Sequence, residues 1–157
     1  MRYAIALSQR EMRGGDAAPF AAVIVRDGVI VGEGCNHVVR DSDPTAHGEV
    51  DAIRDACRKL GTWDLSGCEI YTTCEPCAMC LAAMFWAKLD RMYYANRLED
   101  AEALGFDLAP LRALVSTAVD QRPFTGGRLC APEARAVLDE WAATPGFDTF
   151  QGRAPQS

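Results

Sequence analysis

Residues 72–80 read TTCEPCAMC, so Cys74, Cys77 and Cys80 recur at every third position. Thiols this close point to a metal ion, and a metal confines the fold, because the segments carrying its ligands must meet at one point. With a histidine, three cysteines would close a structural zinc site, whereas two would leave a coordination position open for water and chemistry. Pro76 is suited to the first position of a helix. A helix starting there carries Cys77 and Cys80 on one face near its first turn. The partial positive charge at that end favours thiolate over thiol, which makes these two good zinc ligands. Cys74 lies ahead of the helix, where nothing in the spacing aims it at the same point, and it reads as a small buried residue at a strand end.

The chain has two histidines, His37 and His47. His47 falls in PTAHGEV, with Glu49 two residues on. Residues two apart diverge on a regular helix and converge only where the helix is just starting. A closed site of three cysteines and His47 would leave Glu49 without a task. His37 reads as a surface or loop histidine.

Strands alternate with helices along the chain. MRYAIALSQREMRGG reads as an amphipathic helix, and FAAVIVRDGVIVGEG as two strands turning at Asp27-Gly28. NHVVRDSDPT is expected as a loop, with a helix opening at Asp43-Pro44 and presenting Val50, Ile53, Cys57 and Leu60 on one face. CEIYTT and RMYYA read as strands flanking the cysteine helix. Beyond them come a helix near 108–117, a strand near 117–120 and a last helix opened by Pro132. Such alternation argues for an α/β sandwich.

At 157 residues and 49% apolar, the chain suits one domain, 1–157. Its apolar runs fall short of the roughly 18 residues of a membrane span. The first helix turns polar too early for a secretory signal, and seven cysteines show no disulfide framework. The expected location is the cytoplasm. A formal charge of −6, with two lysines and no basic run, argues against a nucleic-acid partner.

H-G-E at 47–49 followed by P-C-A-M-C at 76–80 resembles the signature of zinc deaminases, in the cytidine deaminase-like superfamily. The resemblance implies a three-layer α/β/α sandwich, its central mixed sheet covered by helices on both faces. It implies one Zn2+ per chain, held by His47, Cys77 and Cys80, with the fourth position left to water. Glu49, not a ligand, would carry protons from water to a ring nitrogen and the departing amine. PFAAVIVRDG, DPTAHGEVDAIRDAC, YTTCEPCAMCLAAMFWA and ALGFD are similar to the short bacterial guanine deaminases. That likeness implies guanine as substrate, with Asn36 bonding the base and Phe20 lining the pocket. Asn36 reads equally as a turn residue, and Phe20 and Trp86 as core, with Trp86 alternatively a dimer contact.

Three departures bear on the substrate. Leu108 follows Asp107 where that branch commonly has a second acidic residue, so Asp107 takes its role or the base differs. The chain lacks the terminal aromatic that closes such sites, so the tail from about 144 reads either as a lid carrying Phe147 or Phe150 or as an ordinary packed or disordered end. Gly48, where alanine is common, reads as pointing to a smaller or altered base. The resemblance also implies a homodimer, with exchanged C-terminal segments as one form. The alternatives are a deaminase of cytosine, isocytosine, guanosine or an aminotriazine, a tRNA adenosine deaminase, and a non-catalytic zinc-stabilised module.

Overall fold

Four strands in the order β2-β1-β3-β4 form the sheet on which everything in the site is mounted. The structure is a computed structural model describing residues 1–150. The chain packs as two units, the first Met1–Ser116 and the second beginning at Thr117.

The first unit opens with α1 (Arg2–Gly14), stopped by Gly15 in the left-handed region. β1 (Ala18–Arg26) and β2 (Val29–Asn36) form an antiparallel hairpin. Asp27 and Gly28 both have positive φ, 50° and 77°, which suits the twist of the two-residue turn. β3 (Cys68–Cys74) runs antiparallel to β1 and β4 (Arg91–Asn96) parallel to β3, so the sheet is mixed. Side chains alternate across it. Ala21, Val23 and Cys35 meet Ala4 and Leu7 of α1 on one face. On the other, Ala22, Ile24 and Ile70 pack with Ala52 and Ala56 of α3 (Gly48–Leu60) and Met84 of α4 (Ala78–Trp86). Helices thus cover both faces, giving the expected three-layer α/β/α sandwich around a mixed sheet. Fully burying Ile24 and Ile70 contributes about 1.5–3 kcal/mol each.

α3 lies unusually near the hairpin, and glycines make room for it. A Cβ on Gly32 would stand 2.5 Å from the Ala52 carbonyl oxygen, and one on Gly34 2.2 Å from that of Gly48. The helix face deepest in the core is accordingly Gly48, Ala52 and Ala56, with Ile53, Cys57 and Leu60 flanking it half-buried.

Several expected boundaries move. The segment after β2 is not all loop, for α2 (Val38–Asp41) makes one turn. α3 starts at Gly48 rather than at Asp43-Pro44. The Asp43 carboxylate accepts from the Thr45 amide at 2.7 Å and closes a turn there instead. Pro76 precedes α4, whose N-cap is Cys77. The short α5 (Leu98–Glu102) was not anticipated, while α6 (Ala109–Ser116) lies close to its expected place.

In the second unit the strand expected near 117–120 is a 3-10 turn, Val119–Gln121. With no neighbouring strand in this short segment, local bonds take over, Arg122 Nε donating to the Thr117 carbonyl at 3.0 Å. α7 (Ala131–Ala142) carries Pro132 in its first turn, and α8 (Pro145–Phe150) follows. Phe147 and Phe150 meet Trp141 edge-on, with centroids 5.2 and 5.4 Å apart. Among the described residues, no helix is long and apolar enough to cross a membrane.

Candidate active site

Two helix N-termini thirty residues apart in the sequence meet beside β3. His47 is the N-cap of α3 and Cys77 that of α4, both with extended backbone. Pro76, fully buried, precedes the second cap. Cys80 lies three residues inside α4 with no exposed surface. His47 Nδ1 is 3.7 Å from Cys77 Sγ and 3.5 Å from Cys80 Sγ, and the two sulfurs are 3.7 Å apart. With Zn–S bonds of about 2.3 Å and Zn–N bonds of about 2.0–2.1 Å, a tetrahedral ion separates its ligand atoms by roughly 3.6–3.8 Å. The three residues fit zinc. The cofactor is Zn2+.

Cys74 stays outside this triangle. Its Sγ faces the Arg97 carbonyl at 3.6 Å, towards the turn after β4. A zinc ion held by these three residues would keep one coordination position for water.

Glu49, one residue inside α3, is buried, and its Oε1 is 3.5 Å from the Thr72 hydroxyl. Thr72 Oγ1 donates at 2.7 Å to the Cys74 carbonyl. Thr72 is the polar member of the β3 face that also carries Cys68 and Ile70. A threonine on the buried face of a strand was the available sign, and it did not stand out in a strand rich in threonine and cysteine.

Burial raises the Glu49 carboxyl above the usual carboxylate range. The neighbouring Cys80 holds the Cys77 thiol down to about 4, with His47 adding to the effect. The Cys77 sulfur in turn raises His47, and it pushes the Cys80 thiol up.

Asn36, at the end of β2, accepts from the Val38 amide at 3.4 Å, a turn contact, and lines an open cleft of about 490 Å³ with Asp16, Val39 and Arg40. Phe20 is half-buried in β1, and its ring meets that of Phe106 edge-on at 5.8 Å. Asp107 is exposed and accepts from the Ala109 amide at 3.1 Å, holding the start of α6. Phe150 lies against Trp141 in the second unit. Trp86 is not core, being 65% exposed. Nor is His37 a free surface histidine. Its side chain is largely buried, with Nδ1 3.7 Å from Asp51 Oδ2.

The sequence pattern of the cytidine and deoxycytidylate deaminase zinc-binding region matches residues 1–96. The chain belongs to that family. It is a hydrolytic deaminase. Among its relatives, the guanine deaminase of Bacillus subtilis (strain 168) is 48% identical over 141 residues, 90% of each chain. A crystal structure of guanine deaminase from Bacillus subtilis has a TM-score of 0.86 and 38% identity, covering 91% of both chains. A structure of guanine deaminase from Nitrosomonas europaea has a TM-score of 0.65 and 36% identity, over 69% of this chain and 63% of that one. The tRNA-specific adenosine deaminase of Aquifex aeolicus (strain VF5) is 38% identical over 95 residues, 60% of this chain and 62% of its own.

Proposed function

We propose that the chain hydrolyses guanine to xanthine and ammonia, with Glu49 as its catalytic residue and His47, Cys77 and Cys80 as its zinc ligands. The observation that carries the chemistry is a zinc-fitting triangle with a buried carboxylate two residues from one ligand. Guanine rests on 48% identity to the Bacillus enzyme over 90% of the chain.

Bound at the triangle, zinc supplies Lewis acidity that brings the pKa of water down towards about 7. Glu49 takes the proton that water gives up and passes it to the ring nitrogen beside the amino-bearing carbon. The water oxygen bonds to that carbon. Glu49 then takes the remaining proton from that oxygen and delivers it to the amine, the oxygen becomes the carbonyl of the product, the C–N bond breaks and ammonia leaves. Its burial suits the task, since a carboxyl raised from its ordinary value is a stronger base and takes up a proton more readily. Asn36 would bond the base, Phe20 and Asp107 would border it, and Phe147 or Phe150 would close the site.

A second base stays open on one observation: Asp107 already holds the start of α6, and Leu108 follows it. The test is ammonia release by zinc-loaded protein from guanine, guanosine, cytosine, isocytosine, adenine, ammeline and cytidine. Efficient turnover of guanine alone supports the reading. A different winner moves the substrate and leaves the chemistry, and no release from any base removes the reading. Glu49→Gln should keep one zinc per chain and lose roughly 10²–10⁴-fold in kcat. Near-normal kcat in that variant would sink the assignment.

We also read residues 1–157 as one deaminase domain working as a homodimer in the cytoplasm. Seven free cysteines suit a reducing compartment. α4 exposes Leu81, Phe85 and Trp86 as an apolar face that a second copy would cover. The tail from about 144 would serve as lid or exchanged segment; residues 151–157 of it lie outside the described residues. Truncation after Trp141 with unchanged kinetic parameters would discard the lid.

A further inference from the structure

β1 breaks its ladder where it passes the metal-binding end of α3. Its register against β2 shifts between Ala18 and Ala21, so Pro19 and Phe20 bulge out. Pairing with β3 begins only at Ala22, opposite Thr72. The Ala21 amide donates instead to the Thr73 hydroxyl, at 3.0 Å in a buried setting. That hydroxyl lies 3.5 Å from the Pro19 carbonyl oxygen, to which it can donate. One side chain thus grips the bulge on both sides of Phe20. From below, α3 comes up so close that a Cβ on Gly48 would stand 2.8 Å from the Phe20 carbonyl oxygen and 3.0 Å from Ala21 Cα. Gly48 sits between His47 and Glu49. The backbone of Phe20 therefore rests on the residue that separates a zinc ligand from the catalytic carboxylate, while its ring meets Phe106.

We propose that Thr73 is a positioning residue for the base pocket: its hydroxyl fixes the β1 bulge that sets Phe20, and with it the Phe20–Phe106 pair, at a defined distance from the metal centre. This rests on the reading that Phe20 borders the substrate. A main-chain ladder bond would pull Phe20 into the plane of the sheet. A side-chain hydroxyl replaces that bond without flattening the bulge. Buried donors left without partners are rare, so removing the hydroxyl leaves the Ala21 amide to regain a partner by moving the bulge. Thr73 touches no metal ligand in this arrangement, so its effect should fall on binding.

The experiment compares Thr73→Val, which keeps the shape and removes the hydroxyl, with Thr73→Ser, which keeps the hydroxyl. Each is assayed for zinc content, for kcat and KM on the base found in the panel, and for the nuclear Overhauser effect between the Phe20 and Phe106 rings. Thr73→Val should hold one zinc per chain, raise KM by roughly tenfold with kcat within about threefold, and lose or weaken the ring contact. Thr73→Ser should restore both readouts to within about twofold. An unchanged KM and ring contact in Thr73→Val overturns the proposal, as does a fall in zinc content or kcat at constant KM. If the wild-type protein deaminates no base, the functional reading fails by itself and the ring contact decides about Thr73. Should Thr73→Val fail to fold, wild-type amide exchange decides: Ala21 should be protected as well as Ala22, and exchange about 100-fold faster at Ala21 overturns the grip.

Discussion

Gly48 looked like a clue to the substrate and is instead a matter of packing. The residue between His47 and Glu49 faces the backbone of β1, where a methyl group has no room unless the bulge gives way. Gly48→Ala should therefore lower stability by about 1–3 kcal/mol, although alanine is the better helix former by about 1 kcal/mol. Denaturant midpoints measure it, and a stabilised variant would show that the bulge yields freely. The cysteines separate just as sharply. Cys77→Ser should lose the zinc on dialysis against a mild chelator, whereas Cys74→Ser, whose sulfur faces Arg97, should keep about one ion per chain by metal analysis. Loss of zinc from both would put Cys74 among the ligands.

Helices and strands were legible in the sequence to the extent that their signals are local. The turn at Asp27-Gly28, the strands β1 and β3, and the cysteine helix all stand at their expected places to within a residue or two. The misses lie where other contacts took the place of the expected element. α3 starts late because Asp43 spends its carboxylate on the Thr45 turn, and no strand forms near 117 because a strand needs a neighbour. The His47, Cys77 and Cys80 triangle was readable because spacing encodes it, whereas Thr72 and Thr73 bond to partners 23 and 52 residues away. Two predictions belong to this scale. Gly34→Ala puts a carbon 2.3 Å from the Ala52 nitrogen and should cost about 3 kcal/mol by forcing α3 off β2. The turn into β3 is acid-sensitive. Lys88, 2.7 Å away, and then Ser66 hold the Asp64 carboxyl well below its usual range. A carboxyl lowered on folding contributes stability above its unfolded pKa of about 3.9 and loses it as pH falls towards the folded value. Asp64→Asn should therefore narrow the gap between urea midpoints at pH 7 and pH 3, and an unchanged gap would exclude this contact as a source.

The molecule as a whole leaves one side of its sheet unfinished. Among the described residues β4 pairs only with β3, and all six of its residues are exposed, Met92, Tyr93 and Tyr94 among them. A strand in that state offers unpaired amides and carbonyls to whatever meets it. With the apolar face of α4, it is the ground for expecting two copies in solution. Light scattering after size exclusion should give about twice 17.1 kDa; a stable monomer would remove the dimer. Trp86→Glu, which places charge on that face, should shift the protein towards monomer at micromolar concentration. If a second copy covers that strand, no single melting temperature describes such a chain. Where a second copy completes the fold, the apparent transition climbs with protein concentration. An enzyme that survives storage at high concentration would then inactivate when diluted into an assay cuvette, and its half-life there would report dissociation before any loss of zinc.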